Sequence, residues 1–256
     1  MTVRELYEGL TELWPLSLSC SWDNDGIMAS RDTRAEAKRI LVSLDASADA
    51  IRHAAENGFD VLLTHHPMLF RGVKNVTPDT AGGMRVLEVV GAGLSVISLH
   101  TRLDAGKNGV NDTLARICGF EPAGSFGDDD APGLCRYADC KPMTPDYLAA
   151  LVKKKLGCPA VRVTGSGRGF VRRIGFCGGD GKDQIPAAVL AGCDAFITGD
   201  AGYNMAADAG EESELYTVEC GHWHSEQPVC QILAETAEAL SGAEVSVYNS
   251  CAYRIL

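Results

Sequence analysis

The sequence predicts an α/β protein of two layered domains with mixed, largely parallel sheets, and three observations predict it. Apolar, β-branched stretches alternate with amphipathic ones, which is the pattern of parallel strands joined by crossover helices. Residues 121–133, EPAGSFGDDDAPG, lack periodicity and collect Gly, Pro and Asp, so they read as a linker. The chain is 256 residues long and 46% hydrophobic, enough for one large or two small cores.

The elements follow in order. Thr2 and Glu5 fit a capping box, and Leu6, Leu10, Leu13 and Trp14 recur at helical spacing before Pro15 stops the helix. RILVSLDA (39–46) reads as a buried strand and ADAIRHAAENG as a helix ended by Asn57-Gly58. DVLLTHHP (60–67) is a second strand, closed by Pro67. MRVLEVVGAG is helical, LSVISLH (94–100) is a third strand and NDTLARICG a third helix. Beyond the linker come strand LCRYADCK and a helix capped by Thr144-Pro145. VRVTG and VRRIGFCGG are expected to pair with each other around GSGRG. Helix IPAAVLAG, strand CDAFITG, helix NMAADAG, strand LYTVECG, helix SEQPVCQILAETAEALSG and strand AEVSVYNS complete the chain.

Composition excludes some functions. The 34 acidic and 23 basic side chains leave a formal charge of -11, which argues against nucleic acid and anionic membrane as partners, since both need a basic surface. No apolar run reaches the length of a membrane span, and acids at Glu5, Glu8 and Glu12 are unlike a signal or transit peptide. The ten cysteines show no C-x-x-C spacing and read as reduced, mostly buried thiols of a cytoplasmic protein.

Histidine carries the chemical signal. Five of the six fall in three short segments, each at the C-terminal end of an expected strand, where open α/β sheets bind ligands. Neighbouring strand residues point to opposite faces, so His65 and His66 can share one site only if the strand breaks, and Pro67 gives it reason to. His100 and Asp104 lie four apart, as do His222 and Glu226, a spacing that brings side chains together on a helical turn. Taken singly, each has a plainer reading as a polar strand end, a helix cap or a first-turn acid. His224 is open between ligand, supporting donor and exposed residue. Together the segments offer a His/Asp/Glu donor set without Cys, which favours zinc, iron, manganese or cobalt. Four to six such donors exceed one tetrahedral catalytic metal and suit two metals sharing a carboxylate and a water. GFCGGDGKD (175–183) could hold a phosphate on its amides, but its spacing fits no phosphate-loop motif, and a structural turn is the better reading.

These segments resemble a known family. HHPMLF (65–70), HTRLDAGKNGVND (100–112) and GHWHSE (221–226) look like the three metal motifs of the NIF-three-like dinuclear-metal hexamer family, also known as type 2 GTP cyclohydrolase I homologues. WDNDGIM (22–28) resembles its Asp-Asn-x-Gly segment, and CDAFITGD (193–200) its Asp-x-x-x-Thr-Gly-acid strand end. The resemblance implies His65, His66, Asp104, His222 and Glu226 as ligands of two divalent metals. Glu226 would bridge, with His66 and Asp104 on one ion and His65 and His222 on the other. His100 would line the site, available as a proton carrier or as a partner supporting a ligand, and is the candidate catalytic residue. The metal motifs would belong to a domain of residues 1–125 plus about 220–256, with a second domain over about 130–219 and the metal site in the cleft between them. The family also implies a homo-hexamer.

The implied activity is that of a hydrolase that activates a bridging water against a small-molecule substrate, with GTP-type purine ring opening as one candidate. Two alternatives stand beside it: a non-catalytic metal-binding structural or regulatory ring, and a dimetal phosphoesterase. Three departures from the family pattern bear on the substrate. Asp25 replaces the usual valine, Tyr203 and Asn204 stand in a stretch that often carries a histidine, and NSCAYRIL replaces an Asn-Pro-Phe-like ending.

Overall fold

The computed structural model of the chain describes residues 1–255. In chain order its elements are α1 (Val3–Leu13), β1 (Gly26–Ala29), β2 (Arg39–Ser43), α2 (Ala48–Glu56), β3 (Val61–Thr64), α3 (Ala81–Gly91), β4 (Ser95–Ser98), α4 (Thr101–Ala105), α5 (Val110–Ile117), β5 (Gly124–Phe126), β6 (Cys135–Met143), α6 (Pro145–Leu156), β7 (Arg162–Thr164), β8 (Val171–Asp180), α7 (Ile185–Leu190), β9 (Ala195–Asp200), α8 (Tyr203–Glu212), β10 (Tyr216–Glu219), α9 (His222–Glu226), α10 (Val229–Ser241) and β11 (Glu244–Tyr248). They build two mixed sheets in two compact units.

The first unit holds Met1–Leu103 and Val229–Ala252. Its five-stranded sheet runs β1-β4-β3-β2-β11, all parallel except β1. Strands β3 and β4 are buried at every position, as expected where helices cover both faces of a parallel sheet. Leu41, Leu62 and Val96 pack with Ile51 of α2 and Val89 of α3. The Thr2–Glu5 capping box starts α1, which buries Val3, Leu6 and Leu10 and packs against α10. Because β2, β3 and β4 are parallel, their C-terminal ends share one sheet edge. Asp45, His65, His66 and His100 all follow those ends.

The second unit holds Asp104–Pro228 with residues 253–255. Its six-stranded sheet runs β5-β6-β8-β9-β10-β7. The three central strands β8, β9 and β10 are parallel. Consecutive residues alternate faces: Phe176 and Ile197 join Leu114 of α5 and Leu148 of α6, while Cys177 and Phe196 join Ile185 of α7 and Ala206 of α8. The C-terminal ends of β8, β9 and β10 again share an edge, and there lie Gly179, Asp200 and His222.

Four expectations differ from the structure. Residues 121–133 are not a free linker, since β5 lies within them and pairs with β6. The units exchange the chain at Leu103/Asp104 and Pro228/Val229, because Leu114, Ala115 and Cys118 of the α5 region pack into the second unit's core. β7 does not pair with β8. Both edges of β8 are taken, by β6 and β9, so β7 pairs antiparallel with β10. The expected helix from Ser225 is two helices, α9 and α10, parted at Pro228, which has no N–H to carry the ladder through.

Candidate metal centre

At the first unit's sheet edge, β3 ends at Thr64, just before the histidine pair. The Thr64 hydroxyl donates to the His66 carbonyl at 2.8 Å, and the His66 amide donates to the Leu44 carbonyl at 2.9 Å. With the strand broken there, two adjacent histidines need not face opposite ways, and their ring centroids lie 5.0 Å apart. His100, after β4, brings its ring 5.2 Å from that of His65 and 5.8 Å from that of His66. Ligand atoms of all three fall within 4.8 Å of one another.

Each imidazole is held at the same atom. His65 Nδ1 lies 2.9 Å from the Leu99 carbonyl, His66 Nδ1 2.8 Å from Asp45 Oδ1, and His100 Nδ1 2.7 Å from Asp23 Oδ1. A carbonyl or carboxylate oxygen only accepts, so Nδ1 carries a proton in each ring, and Nε2 is the nitrogen that offers a lone pair when the ring is neutral. Asp23 is itself fixed, since Oδ2 accepts from the Thr101 amide at 2.9 Å and from its hydroxyl at 2.5 Å. Burial alone would raise the Asp23 carboxyl. The His100 hydrogen bond and charge, with Thr101, more than offset it and hold the group at about 2.

In the second unit α9 begins at His222, one residue past the Gly221 turn. His222 Nδ1 lies 2.8 Å from Asp200 Oδ2 at the end of β9. His222 Nε2 lies 3.1 Å from Glu226 Oε2, so the four-residue spacing acts as expected on one helical turn. Glu226 and Asp104 are both buried. The Gly178–Gly179 segment is pulled in against Glu226: the Gly178 amide donates to Asn111 Oδ1 at 2.7 Å, and the Gly179 amide to Ser225 Oγ at 3.0 Å. Gly179 has φ +65°, and a Cβ there would overlap the Glu226 carboxylate and come within 3.2 Å of His222 Nε2. The backbone thus approaches the carboxylate as only glycine permits. The Cys177 thiol beside Asp104 and Glu226 is pushed well above its ordinary value by its hydrogen bond with Cys135, by burial and by those carboxylates, so it stays protonated.

The described residues therefore hold clusters of His, Asp and Glu suited to one or two metal ions. The donor chemistry fits a borderline divalent cation: imidazole Nε2 atoms with prearranged Nδ1 partners, and buried carboxylates. His224 joins no such cluster among the described residues; it sits edge-on to Trp223, and burial lowers its pKa. GFCGGDGKD contributes the close approach of Gly178 and Gly179, and the helix that follows it is only six residues long.

Three partners escaped the sequence reading. Asp45 follows an apolar strand and gave no signal of its own. Asp23 and Asp200 stood inside the WDNDGIM and CDAFITGD segments, which the resemblance marked without saying what they do. Asp25, the departure in the first of these, turns inward, with Oδ2 3.1 Å from Nε of the fully buried Arg102 and 3.0 Å from the Ser19 hydroxyl.

Comparison with known proteins bears on family and fold. The Duf34/NIF3 (NGG1p interacting factor 3) family profile matches residues 1–253. A Clostridium perfringens protein named GTP cyclohydrolase 1 type 2 homolog is 31% identical over 250 residues, covering 96% of this chain and 94% of its own. The Bacillus cereus protein related to NIF3 superposes with a TM-score of 0.88 at 18% identity, covering 100% of this chain and 99% of its own. The Staphylococcus aureus hypothetical protein SA1388 gives 0.87 at 23% identity with the same coverage. At these identities the two structures speak to the fold.

Proposed function

The chain belongs to the Duf34/NIF3 family, and from that membership and the histidine geometry we propose that it is a dinuclear divalent-metal hydrolase. Zinc, iron, manganese or cobalt would be held by His65, His66, Asp104, His222 and Glu226, with Glu226 shared between the ions. His66 and Asp104 would serve one ion, and His65 and His222 the other. When bound, two such cations supply Lewis acidity and a water acidic enough to be a nucleophile near neutral pH. Asp45, Asp200 and the Leu99 carbonyl fix the ring orientation and proton of His66, His222 and His65. His100, held at Nδ1 by Asp23, moves a proton at Nε2 to or from the substrate. The substrate class is a small molecule. The name of the curated relatives, GTP cyclohydrolase 1 type 2 homolog, makes GTP the first candidate, and the family pattern makes a cytoplasmic homo-hexamer the expected form.

The observation that carries this reading is the fixed Nδ1 of every histidine in the set, since ligand histidines need that arrangement and solvent-facing ones do not. Elemental analysis tests it. The purified protein should hold about two metal ions per chain, and His222→Ala and Glu226→Ala should lose most of them; full metal content in both variants sinks the ligand set. Loaded protein is then given GTP and p-nitrophenyl phosphate. Formate release supports purine ring opening, phosphate release points to a phosphoesterase, and turnover of neither favours a non-catalytic ring.

A further inference from the structure

Two large aromatic side chains stand exposed beside His100. Trp22 is 53% and Phe70 47% exposed. Their ring centroids lie 6.1 Å apart, edge to face, and each meets the His100 ring edge-on, at 6.3 Å and 6.0 Å. Both loops are tied down: Asp23 is bound to His100 and Thr101, and the Asn24 side-chain amide donates to the Leu69 carbonyl. The rings are thus held beside His100, each about half exposed to solvent.

We propose that Trp22 and Phe70, whose ring planes stand 67° apart, form an aromatic corner that holds the planar heteroaromatic ring of the substrate by stacking on one ring and meeting the other edge-on, setting it against His100. This rests on the dinuclear hydrolase reading and names the substrate class for its site. A π-face is what exposed Trp and Phe rings recognise, and stacking is tolerant of ring identity, so nucleobases as a class fit. The ring would lie next to the His100 atom not bound to Asp23, while phosphates or other anionic groups would be drawn to bound cations. A nucleotide thereby fits a chain of negative net charge.

The test uses the metal-loaded chain and three probes, GTP, guanosine and inorganic triphosphate. Trp22→Phe first assigns the Trp22 share of the fluorescence, because Trp14 and Trp223 remain. GTP should quench the Trp22 signal. Its dissociation constant should rise about tenfold in Trp22→Ala and in Phe70→Ala, with triphosphate affinity within about twofold of wild type. Guanosine should show the same rise without phosphates. If both alanine variants bind GTP like the wild type, if triphosphate weakens as much as GTP, or if the wild type binds no GTP, the aromatic corner is wrong. Metal content is measured in each sample. A chain that holds no metal overturns the hydrolase reading, while guanosine binding still reports on the aromatic corner alone.

Discussion

His222 and Asp200 are joined Nδ1 to Oδ2 at 2.8 Å, across 22 residues of sequence, at the shared edge of two parallel strands. The contact fixes which nitrogen of His222 is available, and the opposite nitrogen lies 3.1 Å from Glu226. Asp200→Ala frees the ring to rotate and to change tautomer. We expect metal affinity to fall about 10–100-fold, as for other carboxylates that orient a ligand histidine. Competition with a chromophoric chelator measures it. An unchanged affinity would mean that Asp200 does not set the ring.

Gly179 has φ +65° and no room for a Cβ, whereas Gly192 has φ +71° with nothing within 4 Å. Gly192→Ala should therefore cost only the conformational penalty, about 1–2 kcal/mol. Gly179→Ala adds overlap with the Glu226 carboxylate, about 1–3 kcal/mol more, and should displace that carboxylate enough to lower metal content. Urea unfolding and elemental analysis of the two variants separate the terms. Equal losses would show that the space next to Glu226 is not tight.

The contrast between these residues explains what the sequence could say. Strands such as Val61–Thr64 and the Thr2–Glu5 cap were legible because local patterning decides them. The approach of His222 to Glu226 was legible because one helical turn spaces them. Asp23, Asp45 and Asp200 were not, because their partners lie 77, 21 and 22 residues away and sheet register makes the contacts. The same holds for β7, whose partner depends on which strand edges β6 and β9 had already filled. The chain divides at Leu103/Asp104 and not in the loop, because composition marks an exposed loop but not which core an amphipathic helix such as α5 enters.

Asp25 and Arg102 form an ion pair with side-chain exposures of 2% and 0%. Burial raises the Asp25 carboxyl even though Arg102 and Ser19 lower it, so desolvation outweighs the pairing. Arg102 also donates to Thr11 Oγ1 at 3.2 Å and the Trp14 carbonyl at 3.3 Å, and lies over the Tyr7 ring. Asp25→Val alone leaves a buried, uncompensated cation and should destabilise by about 3–5 kcal/mol. Asp25→Val with Arg102→Met removes both charges and should recover most of that loss. A double variant as unstable as the single one in urea would show that the pair is held by more than mutual compensation.

Asp23 gives the acid limb of stability a defined position. Its carboxyl sits at about 2 in the folded chain against an ordinary 3.8, so the folded state favours the ionised form. A group depressed in this way contributes stability that is complete above the ordinary value and disappears as pH falls through the folded one. Asp23→Asn removes the contribution at every pH. The melting temperature of the variant should therefore lie below wild type at pH 4, and the gap should narrow steadily toward pH 2. Scanning calorimetry of both proteins across that interval reads the gap. If it stays constant down to pH 2, the stabilisation does not come from the ionised Asp23 carboxylate, and its hold on His100 Nδ1 is a matter of packing.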